Sequence, residues 1–164
     1  IRPLCVASVM STALRGRGQA LDDLEAARRW LVGRPEIDAD RIGTIGFCIG
    51  GCFALLLART GLYKVSAPFY NTPVDVPRAC PVVASYGGRD LMVRGVAGKL
   101  EKRLDALGVP HDVKIYPEAG HSFYTETPGL MGEIGKRAPI HAEYHEASAR
   151  DARRRIVTFF REHL

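Results

Sequence analysis

The feature that most constrains the fold is the GFCIGG motif at residues 46–51, which lies between two apolar runs. It predicts a strand, a sharp turn and a helix, with small residues where the strand and helix backbones approach each other. We expect Gly46 and Gly50 to supply that clearance and Gly51 to add to it. Such a turn is a nucleophile elbow, here with Cys48 in place of the usual serine. Since a thiolate is far more nucleophilic than a neutral hydroxyl, the motif indicates a hydrolase.

Apolar periodicity divides the rest of the chain into alternating helices and strands. It predicts helices at residues 19–32, 51–59, 95–107 and 144–164, and buried strands at residues 41–47, 63–69, 81–86 and 112–116. This alternation predicts an α/β fold, a three-layer sandwich in which helices cover both faces of a mostly parallel sheet. The 164 residues show no internal repeat and no low-complexity segment, so we expect a single domain over residues 1–164.

Three of the predicted strands end just before a residue suited to nucleophilic or acid–base chemistry. Cys48 follows the first strand, Asp90 the third and His121 the fourth. The carboxyl ends of parallel strands share one edge of the sheet, where open α/β folds place their sites. The order nucleophile, acid, histidine is that of α/β hydrolases. We expect His121 to take the proton of Cys48 and pass it to the leaving group, while Asp90 fixes the imidazole tautomer.

Each of these residues also has an ordinary structural interpretation. A cysteine before a helix can be a packing residue, and a loop histidine needs no chemical role. An aspartate after two glycines, as in Gly87-Gly88-Arg89-Asp90, is typical of a turn or a helix N-cap. The catalytic interpretation is favoured because all three residues follow suitable strands.

The remaining cysteines and histidines indicate neither a disulfide framework nor an obvious metal centre. The four cysteines lack the paired CxxC clusters of zinc sites. Two alternatives stay open: a metal or redox pair at Cys48 and Cys52, and a metal site at His141 and His145 on a possible helix, near two glutamates. We expect Cys52 to fill the core as a small apolar side chain and these histidines to be structural. We therefore expect no metal site among these residues.

Charge and hydropathy bear on partners and location. The formal charge is +5, and the densest basic run, residues 153–155, lies in the C-terminal helical pattern, which favours a solvated helix face over a nucleic-acid patch. No apolar run approaches the roughly 20 residues of a membrane helix, and the first residues lack a secretory-signal pattern. We expect a cytoplasmic protein with a small-molecule substrate and no nucleic-acid or membrane partner.

Three segments, GFCIGG, GGRDLMV and YPEAGHSF, resemble the signature blocks of the dienelactone hydrolase family. The resemblance runs from about residue 23 to the C-terminus and includes PEIDADRIGTI before the elbow. It implies an α/β-hydrolase fold, no metal or organic cofactor, and a catalytic triad carried by Cys48, Asp90 and His121. It also implies attack on a lactone or carboxylic ester, an acyl-thiol intermediate and release by water. The backbone N–H of Ile49 would then be an oxyanion donor.

Two departures from the family pattern limit these implications. Members that open the diene lactone carry an arginine four residues after the histidine to hold a substrate carboxylate, whereas this chain has Thr125, which favours a general carboxylesterase. Members also have further strands, and a loop with a second oxyanion donor, before the region equivalent to Asp22. We therefore expect this chain to be the C-terminal part of a longer domain. The N-terminal strands of that domain would then be missing from this chain. An inactive or truncated noncatalytic member is the third alternative.

Overall fold

The structure is a computed structural model that describes residues 3–164. Its elements in chain order are α1 (Pro3–Arg15), α2 (Gln19–Val32), β1 (Gly43–Phe47), α3 (Ile49–Ala58), β2 (Val65–Phe69), β3 (Val82–Gly87), a short 3-10 helix (Leu91–Val93), α4 (Val96–Leu107), β4 (His111–Tyr116), α5 (Leu130–Arg137) and α6 (Glu146–His163). The four predicted strands and four predicted helices are confirmed, with shifts of a few residues at their ends. Across this part of the chain, no helix is both long and apolar enough to cross a membrane.

The sequence pattern does not predict α1 and α5. The apolar side chains of α1 include Leu4 and Leu14, which are exposed and form no clean buried face. Helix α5 spans only 8 residues and contains Gly132 and Gly135, which lower helix propensity. Neither helix therefore carries the buried periodic stripe by which a helix is identified from sequence.

The four strands form one parallel sheet in the order β1-β2-β3-β4. Phe47 at the end of β1 lies opposite Phe69 at the end of β2, and Gly87 at the end of β3 lies opposite Tyr116 at the end of β4. All four carboxyl ends therefore meet at one edge of the sheet. The predicted α/β fold with a parallel sheet is confirmed.

The side chains of β3 alternate between two hydrophobic cores, one on each face of the sheet. Val83 packs in a core with Ile156 of α6, whereas Val82 and Ala84 pack in a core with Leu100 of α4. Every residue of β2 and β3 is buried, as expected for central strands covered on both sides. These two strands give the residues that follow them a rigid support.

Strand β1 is less well covered, because it lies at one edge of the sheet. Ile45 is 52% exposed and Phe47 is 37% exposed. The residue that follows this strand, Cys48, is exposed as well. The elbow therefore stands at the open side of the sheet, with access to solvent.

The basic run at residues 153–155 is a solvated helix face only in part. Arg153 and Arg154 are exposed, but Arg155 lies against the sheet, where its Nε donates to Asp112 at 2.7 Å and its guanidinium donates to the Tyr116 hydroxyl at 3.1 Å. Burial opposes the charge of Arg155, but these hydrogen bonds outweigh it and raise the pKa of the guanidinium. The expectation of a solvated side chain is wrong for Arg155, which ties α6 to β4.

Candidate active site

The elbow forms where β1 turns into α3. Cys48 has φ 55° and ψ −117°, a backbone conformation that residues other than glycine rarely adopt. Its N–H donates to the Phe69 carbonyl at 3.1 Å, and its own carbonyl accepts from the Gly51 N–H at 3.0 Å. Such strain persists only where the surrounding structure holds it, and it is common at functional sites. The predicted strand–turn–helix geometry of the elbow is confirmed.

Two of the three glycines in the motif are required by close backbone approach. A Cβ on Gly46 would lie 1.9 Å from the Gly50 carbonyl oxygen, and a Cβ on Gly51 would lie 2.7 Å from the Phe69 carbonyl oxygen. A Cβ on Gly50 would meet nothing within 4 Å. The expected clearance role is therefore wrong for Gly50, because its carbonyl, and not its Cα hydrogen, faces the strand.

Asp90 and His121 form a buried pair above the ends of β3 and β4. Asp90 is 2% exposed and His121 is 4% exposed, and Asp90 Oδ2 lies 2.6 Å from His121 Nδ1. The other carboxylate oxygen, Oδ1, accepts from the Met92 N–H at 3.0 Å, so Asp90 also caps the short 3-10 helix. The expected N-cap role of Asp90 is therefore confirmed, and the cap fixes the carboxylate that faces the imidazole.

The surroundings of His121 favour its protonated form. Burial opposes the charge of the imidazolium, but hydrogen bonds to Asp90 and to Cys48 outweigh it and raise the pKa of His121 to about 9. The backbone N–H of His121 donates to the Ile140 carbonyl at 2.7 Å, which anchors the loop that carries the ring. The imidazole is therefore held between a carboxylate and a thiol.

The pKa of the Cys48 thiol is shifted in the opposite direction, below its ordinary value. The hydrogen bond to His121 lowers the thiol pKa, burial opposes this effect, and the backbone N–H of Ile49 lowers the pKa further through a hydrogen bond to the sulfur. A lowered thiol pKa beside a raised imidazole pKa favours a thiolate–imidazolium pair. The structure thus brings the predicted site residues Cys48, Ile49, Asp90 and His121 together at one edge of the sheet.

The other cysteines have different surroundings. Cys5 is exposed on α1, and Cys52 is buried with its Sγ 3.3 Å from the Thr72 hydroxyl oxygen. Cys80 is half-buried, and burial raises the pKa of its thiol to about 11. Among the cysteines of residues 3–164, a lowered pKa is therefore found at Cys48.

The alternative metal site at His141 and His145 does not form. His141 lies outside any helix, with its Nδ1 3.2 Å from the Arg89 guanidinium, and His145 Nδ1 lies 2.7 Å from the Ser148 hydroxyl at the start of α6. The possible helix on which these histidines would share a face is therefore wrong. In the part of the chain that the structure describes, no three histidine, cysteine or carboxylate side chains are grouped as metal ligands.

Two further residues of the site are not singled out by the sequence pattern. Met92 donates the backbone N–H that orients Asp90. Tyr70 places its ring 4.8 Å, centroid to centroid, from the imidazole of His121. Tyr70 directly follows the second buried strand, so the rule that locates Cys48, Asp90 and His121 at strand ends also points to it.

The chain is similar to known proteins in both sequence and fold. A "Probable 2-oxo-3-(5-oxofuran-2-ylidene)propanoate lactonase" of Bradyrhizobium sp is 32% identical over 122 residues, covering 65% of this chain and 49% of that protein. A "Carboxymethylenebutenolidase" of Rhodococcus opacus is 29% identical over 160 residues, covering 88% of this chain and 58% of that protein. The chain thus spans about half the length of the curated relatives it matches.

A solved structure supports the same relationship. The crystal structure of a "Putative Dienelactone Hydrolase" from Klebsiella pneumoniae superposes with a TM-score of 0.68 at 27% identity, covering 88% of this chain and 61% of that chain. The family model of the dienelactone hydrolase family matches residues 3–164. Because that match covers almost the whole sequence, this chain belongs to the dienelactone hydrolase family.

Proposed function

We propose that this chain carries the catalytic centre of a cysteine hydrolase that cleaves a small lactone or ester. The observation that carries the proposal is the Cys48 thiol, with its lowered pKa, facing the buried pair of His121 and Asp90. Family membership supports ester or lactone cleavage as the reaction class. The strained, exposed elbow supports Cys48 as the nucleophile, because it presents the sulfur at the open edge of the sheet.

In the first half of the proposed reaction, the Cys48 thiolate attacks the carbonyl carbon and forms a carbon–sulfur bond. The carbonyl electron pair moves to oxygen, where the N–H of Ile49 can donate to the developing charge. As the tetrahedral intermediate collapses, the carbon–oxygen bond of the ester breaks. The His121 imidazolium gives its Nε2 proton to the departing alkoxide, which leaves an acyl-thiol on Cys48 and a neutral imidazole.

In the second half, a water molecule releases the acyl group. Neutral His121 takes one proton from the water molecule while the water oxygen attacks the acyl-thiol carbon. The carbon–sulfur bond then breaks, so a carboxylic acid departs and the thiolate–imidazolium pair is restored. Asp90 keeps the Nδ1 hydrogen in place throughout, so Nε2 is the nitrogen that exchanges protons with substrate and water.

A general carboxylesterase is the second candidate, favoured by the residue at position 125. Thr125 is a neutral residue where the resemblance implies an arginine that holds a carboxylate. Arg89, which directly precedes Asp90 in the chain, is engaged elsewhere, since its guanidinium lies 3.7 Å from Glu143 and 3.2 Å from His141. A neutral ester therefore suits this part of the site better than a carboxylate-bearing lactone.

The test compares turnover of a carboxylate-bearing lactone and neutral p-nitrophenyl acetate by the wild type, Cys48→Ala and Cys5→Ala. We expect Cys48→Ala to abolish turnover and Cys5→Ala, which removes an exposed thiol on α1, to retain it. Turnover of the neutral ester alone would identify a carboxylesterase. Wild-type turnover by Cys48→Ala would refute the proposal. A folded wild type that cleaves neither compound would instead support a noncatalytic member.

A further inference from the structure

Tyr70 is a buried residue in a constrained backbone position next to the site. It directly follows β2, has φ 35° and is 2% exposed. Its N–H donates to the Ser85 carbonyl at 2.9 Å, which fixes the backbone against β3. A positive φ in a bulky residue is uncommon and is retained where the surroundings specify the side chain's position.

The ring of Tyr70 contacts the imidazole on which the proposed chemistry depends. The two ring centroids lie 4.8 Å apart with an angle of 56° between the planes. A cation within about 6 Å of an aromatic centroid is attracted by the ring quadrupole, and the attraction is larger where water is excluded. Both side chains are buried, so water is excluded from the contact and the attraction between the imidazolium and the ring is at the strong end of its range.

Neighbouring side chains hold Tyr70 in this position. Its ring packs edge-on against Phe123 at a centroid distance of 5.6 Å. Burial raises the pKa of the Tyr70 hydroxyl, and a hydrogen bond to Thr125 opposes that effect. The hydroxyl therefore stays protonated over the working range, so the Tyr70 ring remains uncharged beside His121.

We propose that Tyr70 is a positioning residue whose aromatic ring stabilises the His121 imidazolium and thereby maintains the thiolate of Cys48. This inference rests on the proposed function of the Cys48–His121 pair. The ionisable groups that act on His121 are Asp90 at Nδ1 and the Cys48 thiol. Tyr70 adds a third, uncharged contact, which partly replaces the water that the buried cation has lost.

The experiment measures the rate of Cys48 alkylation by iodoacetamide as a function of pH, with the labelled peptide identified by mass spectrometry. The variants are Tyr70→Phe, which keeps the ring, and Tyr70→Leu, which removes it. Phe69→Leu is the matched control, since Phe69 is buried in the same aromatic cluster, 5.8 Å from Tyr70, and belongs to β2.

We expect Tyr70→Leu to raise the apparent pKa of the Cys48 thiol by about half a unit to one unit, from the size of a buried cation–ring contact. Tyr70→Phe and Phe69→Leu should keep the wild-type profile. If Tyr70→Leu does not fold, phenylalanine and pentafluorophenylalanine incorporated at position 70 give the same comparison, because fluorination reverses the ring quadrupole at nearly constant shape. The proposal is supported if the apparent pKa of the Cys48 thiol rises with pentafluorophenylalanine and stays at the wild-type value with phenylalanine.

Unchanged profiles for both the leucine and the fluorinated variants would overturn the role of Tyr70. An equal increase for Phe69→Leu would also overturn it, because the effect would then belong to the cluster as a whole. Failure of the proposed function is recognised by a different result, namely ester turnover by Cys48→Ala at the wild-type rate. The alkylation profile reports the state of the thiol whether or not an ester is cleaved.

Discussion

Replacing Asp90 by asparagine is expected to lower kcat about a hundredfold and to change KM little, because Asp90 acts through the imidazole and not on the substrate. One carboxylate oxygen faces His121 Nδ1 at 2.6 Å, and the other accepts from the Met92 N–H at 3.0 Å. Asparagine offers a single acceptor oxygen. If that oxygen keeps the Met92 bond, the amide N–H₂ faces Nδ1, and the ring hydrogen moves to Nε2, where a free lone pair is needed.

The size of the effect follows from the His121 pKa. Burial opposes the imidazolium, yet hydrogen bonds to Asp90 first and Cys48 second raise the pKa from 6.5 to about 9. That shift corresponds to roughly 3 kcal/mol at about 1.4 kcal/mol per pKa unit. Asp90 is the first of the two hydrogen-bond partners that raise the pKa, and each loss of about 1.4 kcal/mol of transition-state stabilisation is a factor of ten in rate. A decrease of about two powers of ten is therefore consistent with the geometry.

The assay is p-nitrophenyl acetate hydrolysis at neutral pH, with kcat and KM determined separately for the wild type and Asp90→Asn. Asp105→Asn is the matched control, because Asp105 also pairs with a histidine, His111, at 3.5 Å, but on an exposed surface. We expect wild-type constants for the control. An Asp90→Asn enzyme with nearly wild-type kcat would show that another carboxylate, such as Glu118 or Glu126, orients the histidine.

Three further predictions follow from the site. Brief labelling with iodoacetamide near neutral pH should modify Cys48 before the other cysteines, and peptide mapping that finds Cys80, with its pKa of about 11, labelled first would reject Cys48 as the activated thiol. The rate constant kcat/KM should rise as pH passes the lowered Cys48 pKa and fall as pH passes about 9, where His121 loses its proton, so a profile that keeps rising well above that value would contradict the ion pair. Gly46→Ala should destabilise the fold by at least about 1–3 kcal/mol because its Cβ would clash with backbone, whereas Gly50→Ala should be neutral or stabilising by up to about 1 kcal/mol, and urea unfolding that reverses this order would refute the close-approach explanation.

Local sequence was sufficient for much of the fold. The apolar strands, the amphipathic helices and the strand–turn–helix at residues 46–51 depend on residues a few positions apart, so their patterns are visible in the chain itself. The same holds for the expected site residues, because a parallel sheet brings the residues after its strands to one edge. Cys48, Asp90 and His121 therefore lie together in the structure as their positions after β1, β3 and β4 predict.

Other properties depend on contacts between distant segments, which no local pattern encodes. The buried setting of Arg155 depends on Asp112 and Tyr116, and the freedom at Gly50 depends on the direction of the α3 backbone relative to β1. The contact of Tyr70 with His121 joins residues from two loops. The sequence by itself thus determined the order of the four strands and of helices α2, α3, α4 and α6, together with the edge at which the reactive residues meet. Only the tertiary structure decided which neighbours shift the pKa values of the thiol and the imidazole, because burial and hydrogen bonds arise when separate segments pack together.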